Sequence, residues 1–425
     1  MQRAWFFLPF SGKKTEAAAE PGAARLRRSP SDRAPEKQKM QHPAKHGASF
    51  KKMCIFSSTM KFLRIIAFPF SFLYGLVLAL RNKLYDWGIF SSKEFAVPVI
   101  SVGNLSVGGT GKTPHIEYII RLLKGEFYLA TLSRGYGRSS KGFVLADTQS
   151  GALEIGDEPM QFKRKYPNVR VAVDAKRVNG INLLLKDYPS LQTILLDDAF
   201  QHRAVKPGIS ILLSDYSKLY PHDHVMPTGS LREFRSGANR ADIIIVTKCP
   251  TILLPIERKR LISEIKPMPH QRVYFSYIKY GDILPLHASG DQKNPFPKEF
   301  YFERNYSMLL LTGIANTAPL EYYLKDKVKN LERAKYPDHH IFSKTDMENI
   351  QKIFNNIAAS NKIILTTEKD AMRLKGPEYA DALKDIPVFY MPIEIDFHDK
   401  DREGFNEQIT HYVRANQKYG SIHSK

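Results

Sequence analysis

Cysteine is almost absent: Cys54 and Cys249 are the only two in 425 residues, and no pairing motif surrounds them. That excludes a disulfide framework and a thiolate metal cluster, and fits a reducing compartment. Acid is also short, with 63 Lys and Arg against 43 Asp and Glu, for a formal net charge of +20. Such an excess points to polyanions: nucleic acid, anionic headgroups or phosphorylated substrates. A nucleic-acid reader needs stacking aromatics or a reader motif interleaved with its cations. The sequence has neither, so no nucleic-acid partner is expected, and no protein partner is evident. There is no internal repeat. The apolar stretch A-W-F-F-L-P-F at residues 4–10 is too short for a targeting segment. What remains is ordinary globular composition, 43% hydrophobic and 25% charged, long enough for two or three domains.

Residues 1–60 carry 12 Lys and Arg against 4 Asp and Glu, so a good part of the charge is local. Residues 1–59 read as a disordered basic extension or a mis-assigned start, with Met60 an alternative initiator. Residues 11–52 hold too few large apolar residues to offset their ordering entropy. Residues 62–80 (FLRIIAFPFSFLYGLVLAL) are apolar apart from Arg64 and Ser71, near the roughly 20 residues that cross a bilayer. Pro69 would kink or divide that helix. Lys61, Arg64, Arg81 and Lys83 flank it on both sides, so there is no orientation signal, and no small-residue cleavage site follows. Tyr85 and Trp87 suit a headgroup interface. The reading is a membrane-docking helix over 60–90 that dips into one leaflet, the competing one a buried core helix.

From residue 96 the pattern changes. Short apolar runs such as VPVISV (97–102), FYLATL, VRVAV, TILLDD, ISILLSD and DIIIVTK alternate with helical stretches, Pro114 to Lys124 and Ala175 to Lys186 among them. This predicts an α/β fold of the P-loop NTPase type, a mainly parallel sheet with helices on both faces, over 91–300. The runs MLLLTG, KIILTT and IPVFYM predict a smaller α/β domain over 301–425.

The stretch SVGGTGKTP (106–114) deviates from G-x-x-x-x-G-K-[ST] only in opening on Ser106. A strand precedes it and a helix opens at Thr113–Pro114, so backbone N–H groups of Gly108, Gly109, Thr110 and Gly111 can face phosphate oxygens. Lys112 would reach the terminal phosphates and Thr113 would ligate Mg²⁺. Ser106 is acceptable if its φ stays negative. Asp197 and Asp198 end the strand in TILLDDAFQHR, where a phosphate-loop enzyme holds its metal shell; alternation along a strand would leave one of them facing the metal. In GDEPMQF, Asp157 or Glu158 could take a proton from an attacking hydroxyl, or Asp157 could cap a helix with Pro159 in its first turn. Arg134, Arg138 and Lys141 sit on a glycine-containing loop suited to an anion. Arg232, Glu233 and Arg235 lie in a polar loop. Asp338, His339 and His340 adjoin, without a third ligand for a convincing metal site.

Taken together, PVISVGNLSVGGTGKTPHIEYII, SRGYGR, GDEPMQ, VAVDAKR, DDAFQHR, GSLREF, ADIIIVTK, DHHIF and TTEKDAMRL resemble the tetraacyldisaccharide 4′-kinase family, the lipid A 4′-kinases of Gram-negative bacteria, from about residue 60 onward. The resemblance implies transfer of the γ-phosphoryl of ATP, with Mg²⁺, to the 4′-hydroxyl of tetraacyldisaccharide 1-phosphate, giving lipid IVA. It implies a monotopic enzyme on the cytoplasmic face of the inner membrane, with a lipid substrate. On matching positions it implies Asp157 as catalytic base paired with His339, Lys112 and Thr113 in the phosphate loop, Asp197 and Asp198 as the metal-binding pair, and Glu233 linked to metal and nucleotide. The competing class is a partitioning-type P-loop ATPase at the membrane; those place a signature Lys early in the loop, and Val107 stands there instead.

Overall fold

The computed structural model describes residues 46–147, 149–287, 296–338 and 340–420. Two compact units divide at Ser58/Thr59; everything that follows concerns the second. Strands β1 (Val99–Asn104), β2 (Leu129–Ser133), β3 (Val144–Leu145), β4 (Arg170–Val173), β5 (Thr193–Asp197), β6 (Ile209–Asp215), β7 (Ile243–Cys249) and β8 (Arg272–Tyr280) enter the first sheet. Then come β9 (Leu284–Pro285), β10 (Ser307–Thr312), β11 (Asn330–Lys335), β12 (Lys362–Thr367) and β13 (Val388–Met391) of a second sheet, and β14 (Ile393–Phe397), which returns to the first. The α-helices are α1 (His46–Asp86), α2 (Lys112–Leu123), α3 (Ala152–Ile155), α4 (Asp157–Lys165), α5 (Arg177–Asp187), α6 (Pro255–Ile265), α7 (Lys298–Glu303), α8 (Ala318–Lys325), α9 (Lys344–Asn355), α10 (Glu368–Leu374), α11 (Pro377–Leu383) and α12 (Asp399–Gly420).

The first sheet has the order β14-β8-β7-β6-β1-β5-β2-β4-β3, parallel from β8 to β4 with antiparallel strands at both edges. Strands β1, β2 and β5 are buried along their whole length, as continuous apolar runs covered on both faces must be. Between β5 and β6 the chain crosses from one side of β1 to the other. Such a reversal opens a crevice at the carboxyl ends of β1, β5 and β6, where open α/β sheets bind ligands. The second sheet, β11-β10-β12-β13-β9, is parallel apart from β9.

The expected division at residue 300 does not coincide with the sheets. β9 already belongs to the second sheet, whereas β14 and α12 return to the first. The reason is apolar: Ile395, Phe397, Phe405, Ile409 and Val413 join one buried cluster with Ile100 and Ile116. The helix expected from Pro114 starts two residues earlier, at Lys112.

α1 runs undivided through Pro69, so of the kink or division expected there the division does not occur. A proline removes one helical hydrogen bond, but the turns beyond it are clamped. Thr228 N–H donates to Ser71 Oγ at 3.0 Å. A Cβ on Gly75 would collide with the Phe234 ring, so only glycine lets the helix approach this closely. Outward, α1 presents Phe68, Phe70, Leu73 and Val77, each more than half exposed. Among the described residues no helix is long and apolar enough to cross a membrane.

Candidate active site

The phosphate loop is shaped from behind. Ser106 bridges Leu231, Val107 N–H donates to Ser230 O at 2.7 Å, and Arg232 N–H donates to Leu105 O at 2.7 Å. The loop's first position is therefore strand-like and pinned to the β6–β7 connection, and Ser106 needs no positive φ. Positive φ falls at Gly108 (119°) and Gly111 (90°), where glycine is the residue that adopts it without strain. The loop's carbonyls are then tied back. Lys248 Nζ donates to Gly109 O, Thr247 Oγ1 to Thr110 O at 2.9 Å, and His115 Nδ1 to Gly111 O at 2.6 Å. A carbonyl can only accept, so Nδ1 carries the proton and Nε2 accepts from Ser276 Oγ at 3.0 Å. Burial keeps this imidazole neutral, with its pKa lowered to about 4. With the carbonyls held behind, the N–H groups of Lys112 and Thr113, left without an intrahelical acceptor, belong to residues that line the cleft.

Lys112 Nζ stands 3.3 Å from Asn104 Oδ1 and 3.6 Å from Asp198 Oδ1. Asp197 is the last residue of β5 and Asp198 the first beyond it, with φ 47°. That left-handed turn ends the strand alternation, and both residues line the same cleft. Their environments differ. Asp198 receives Arg232 at 2.9 and 3.2 Å. Burial alone would raise its pKa, but Lys112 and Arg232 more than offset it and hold the group below the usual range. Asp197 is buried, with Oδ1 lacking a hydrogen-bond partner. Burial, aided by the charge of Asp198, pushes its pKa up to about 7. An orphaned, desolvated carboxylate oxygen beside a second carboxylate is what a divalent cation would satisfy.

Glu233 is different. It is buried in the cleft wall, and its oxygens accept from Asn82 Nδ2 (2.7 Å), Gln201 Nε2 (3.2 Å) and Arg240 Nη2 (2.9 and 3.0 Å). Its carboxylate is committed to protein donors and ties α1 to the site. Among the described residues no group of three or more His, Cys, Asp or Glu is arranged to hold a metal alone.

Asp157 does not cap α4. Gly156, with φ 94°, occupies the cap position without a side-chain bond, and Asp157 is the first helical residue. Its carboxylate is gripped by Arg373 of α10, Nε donating to Oδ1 at 3.2 Å and Nη2 to Oδ2. Glu158 lines the cleft and pairs with Lys369 at 3.3 Å, and Lys369 also reaches Asp338 at 3.3 Å. His339 lies outside the described residues; its neighbour His340 bonds Asp346 at 3.0 Å. The first and second sheets thus both contribute to the surroundings of Asp157.

The cleft lined by the phosphate loop, Glu158, Asp197, Asp198 and Glu233 measures about 1070 Å³, and Asp157 stands next to it without being one of its lining residues. Tyr74, Leu78, Arg81 and Asn82 of α1 form part of its wall, and Asn316, Thr367 and Lys369 come from the second sheet's side. Arg134 lines it, whereas Arg138 folds back onto Gly142 O at 2.6 Å, Arg235 onto Asp223 O at 2.9 Å, and Lys141 does not line it. His202 reports the local field: burial, then Arg177, Arg81 and Arg134, lower its pKa to about 4. A pocket this cationic suits an anion. Arg177, Thr247, Lys248 and Arg373 escaped the sequence reading as site residues. Their motifs were visible, but they stood in them as strand or helix residues. The signal for Thr247 and Lys248 was their place at the carboxyl end of a parallel strand.

A glycine loop between a parallel strand and a helix N-terminus, with a lysine and strand-end carboxylates beside it, defines a P-loop phosphotransferase of the α/β class. Comparison with known proteins narrows the class. Residues 63–414 match the family model described as Tetraacyldisaccharide-1-P 4'-kinase. The Tetraacyldisaccharide 4'-kinase of Bacteroides thetaiotaomicron is 46% identical over 362 residues, covering 84% of this chain and 94% of that protein. That of Flavobacterium johnsoniae is 48% identical over 357 residues, covering 84% and 99%. Among solved structures, the "apo" form of LpxK from Aquifex aeolicus, in complex with ATP, matches with a TM-score of 0.63 and 28% identity, covering 83% of this chain and 99% of that one. The chain belongs to the tetraacyldisaccharide 4′-kinase family and is a kinase. This membership disposes of the partitioning-ATPase reading.

Proposed function

We propose that the cleft transfers the γ-phosphoryl group of ATP to the 4′-hydroxyl of a tetraacyldisaccharide 1-phosphate at a membrane surface. The observation that carries this reading is the wall shared by the phosphate loop and α1: one cleft is bounded by Gly108 to Thr113 and by Tyr74, Leu78, Arg81 and Asn82 of a helix whose outer face is apolar. A substrate with four acyl chains stays in the bilayer, so its headgroup is reached by an enzyme that lies on that surface. Arg81, Arg134 and Arg177 supply charge for anionic groups of either substrate.

Phosphoryl transfer needs positioning and charge neutralisation rather than covalent catalysis. The N–H groups at the start of α2 and the Lys112 ammonium bind the phosphates and oppose charge on the transferring group. Asp157 accepts the proton of the sugar hydroxyl, with His339 assigned to orient or tune it. The donor set fits Mg²⁺, a hard cation that takes carboxylate and hydroxyl oxygens: Thr113 and the Asp197–Asp198 pair would hold it, with Glu233 acting through its hydrogen bonds. When bound, that ion neutralises phosphate charge. The cytoplasmic membrane face is the location this reading implies.

The test is phosphate transfer from MgATP to purified disaccharide 1-phosphate in detergent. Wild type phosphorylates the 4′ position, and Asp157→Asn loses at least about 10²-fold in kcat, the scale of a general base. An Asp157→Asn enzyme of undiminished kcat would remove Asp157 from this role.

A further inference from the structure

We propose that Arg373 is a positioning residue, which fixes the orientation of the Asp157 carboxylate from α10, the helix that follows β12 of the second sheet. The inference rests on the reading of Asp157 as base. The geometry is a fork: Nε and Nη2 of one guanidinium each donate to a different oxygen of one carboxylate. A planar fork of this kind sets both the position and the rotation of its partner, which the point charge of a lysine does not.

The fork is itself held. Arg373 Nη1 lies 3.5 Å from Asp370 Oδ1. Asp370 is fully buried, and its other oxygen accepts from Gly313 N–H at 3.0 Å and Thr367 Oγ1 at 2.7 Å. Helix α10 is in turn fastened to α4, because Lys165 joins Glu368 at 2.9 Å and Arg164 reaches Met372 O at 3.5 Å. Asp157 therefore starts α4, which packs beside β4 of the first sheet, while its orientation is set from α10, which packs beside β12 of the second. Among the described residues, Asp370 on α10 and Asp338 on the loop after β11 also act on the guanidinium, and Lys369 of α10 joins Asp338 to Glu158 of α4.

The guanidinium also favours the ionised carboxylate, the form a base requires. Its removal should move the acid limb of the activity profile to higher pH, by roughly 1–3 units for an aspartate that loses an adjacent arginine. Loss of orientation should lower kcat by about 10–100-fold and leave the KM for ATP within about twofold, since Arg373 grips the base and not the phosphate loop.

The experiment measures kcat, KM for ATP and the pH profile of the full chain, using purified disaccharide 1-phosphate, for wild type, Arg373→Met, Arg373→Lys and Asp157→Asn. Lower kcat with an upward-shifted acid limb in Arg373→Met supports the proposal. Lysine keeps the charge and loses the fork, so Arg373→Lys should restore the limb and not the full kcat. An inactive Asp157→Asn beside an Arg373→Met with wild-type kcat and limb overturns the proposal and leaves the base reading standing. Full activity in Asp157→Asn sinks the base reading, and this one with it. Should Arg373→Met fail to fold, a wild-type kcat in Arg373→Lys still refutes the need for a fork.

Discussion

Replacing Lys165 with methionine tests how the three site-bearing helices are joined. Lys165 on α4 lies 2.8 Å from Glu117 on α2 and 2.9 Å from Glu368 on α10, so one ammonium joins the phosphate-loop helix, the Asp157 helix and the Arg373 helix. Glu117 is 1% exposed and also accepts from Gln161 at 2.8 Å. Burial raises its pKa, Lys165 opposes the rise, and the balance is upward. Burial works against the charge on Lys165 too, yet the two carboxylates carry its pKa above the ordinary value. Methionine matches the length and removes the charge, leaving two desolvated carboxylates facing each other. Breaking a buried pair from one side costs about 3–5 kcal/mol. Unfolding entropy for a unit the size of residues 59–425 is roughly 0.8 kcal/mol/K, so Tm should fall by about 4–6 °C.

The sign with pH is fixed by linkage. A carboxyl whose folded pKa is raised binds its proton more tightly when folded, so stability falls as pH climbs from 4.5 through the folded value. Without Lys165 that fall extends to higher pH. The Tm deficit of Lys165→Met should be smaller at pH 5 than at pH 8, because the folded state's tighter hold on a proton at Glu117 offsets part of it as pH falls. Calorimetry at the two pH values decides the matter, and Lys165→Met/Glu117→Gln should recover part of the loss at pH 8. A deficit equal at both pH values, or none at pH 8, would refute the charge argument and leave Lys165 as surface packing.

Two further outcomes are expected. Lys112→Ala should abolish phosphate transfer while circular dichroism and Tm stay close to wild type, because the ammonium is partly exposed and, of its two partners, Asp198 keeps Arg232 and Asn104 keeps Ser106 O; normal turnover would refute the loop assignment. Phe68→Ser/Leu73→Ser/Val77→Ser, three positions 57–59% exposed on α1, should lose more than about 100-fold in binding to anionic vesicles by co-sedimentation, given roughly 1.5–3 kcal/mol for each large apolar side chain buried. Unchanged sedimentation would sink the membrane-docking reading.

What the sequence made legible was local. The glycines at 108, 109 and 111 encode a backbone path, and a path of a few residues is written in those residues alone. The parallel sheet was readable because a strand covered on both faces must be apolar throughout. Asp197 and Asp198 were readable as strand-end carboxylates, but their unequal surroundings were not, since Asp198 adopts φ 47° and is gripped by Arg232 from 34 residues away. Arg373 and Asp157 are separated by 216 positions, and no periodicity announces a partner at that range. The return of β14 and α12 to the first sheet was equally hidden, because an apolar run states that it will be buried and not against which sheet.

Glu233 carries this point into function. By composition it is one acidic residue in a polar loop, and the family resemblance links it to the metal. In the fold its carboxylate is spent on Asn82, Gln201 and Arg240, so it joins α1 to the loop that also supplies Arg232 to Asp198. Next to it Phe234 receives Gly75 of the same helix at a distance only glycine allows. The exposed apolar helix and the phosphate-binding cleft are therefore joined through Glu233, whose partner Gln201 also accepts from the Arg232 that grips Asp198. Under the proposed docking of α1 on a bilayer, this coupling would set the distance from surface to reacting phosphate by packed side chains rather than by a flexible tether.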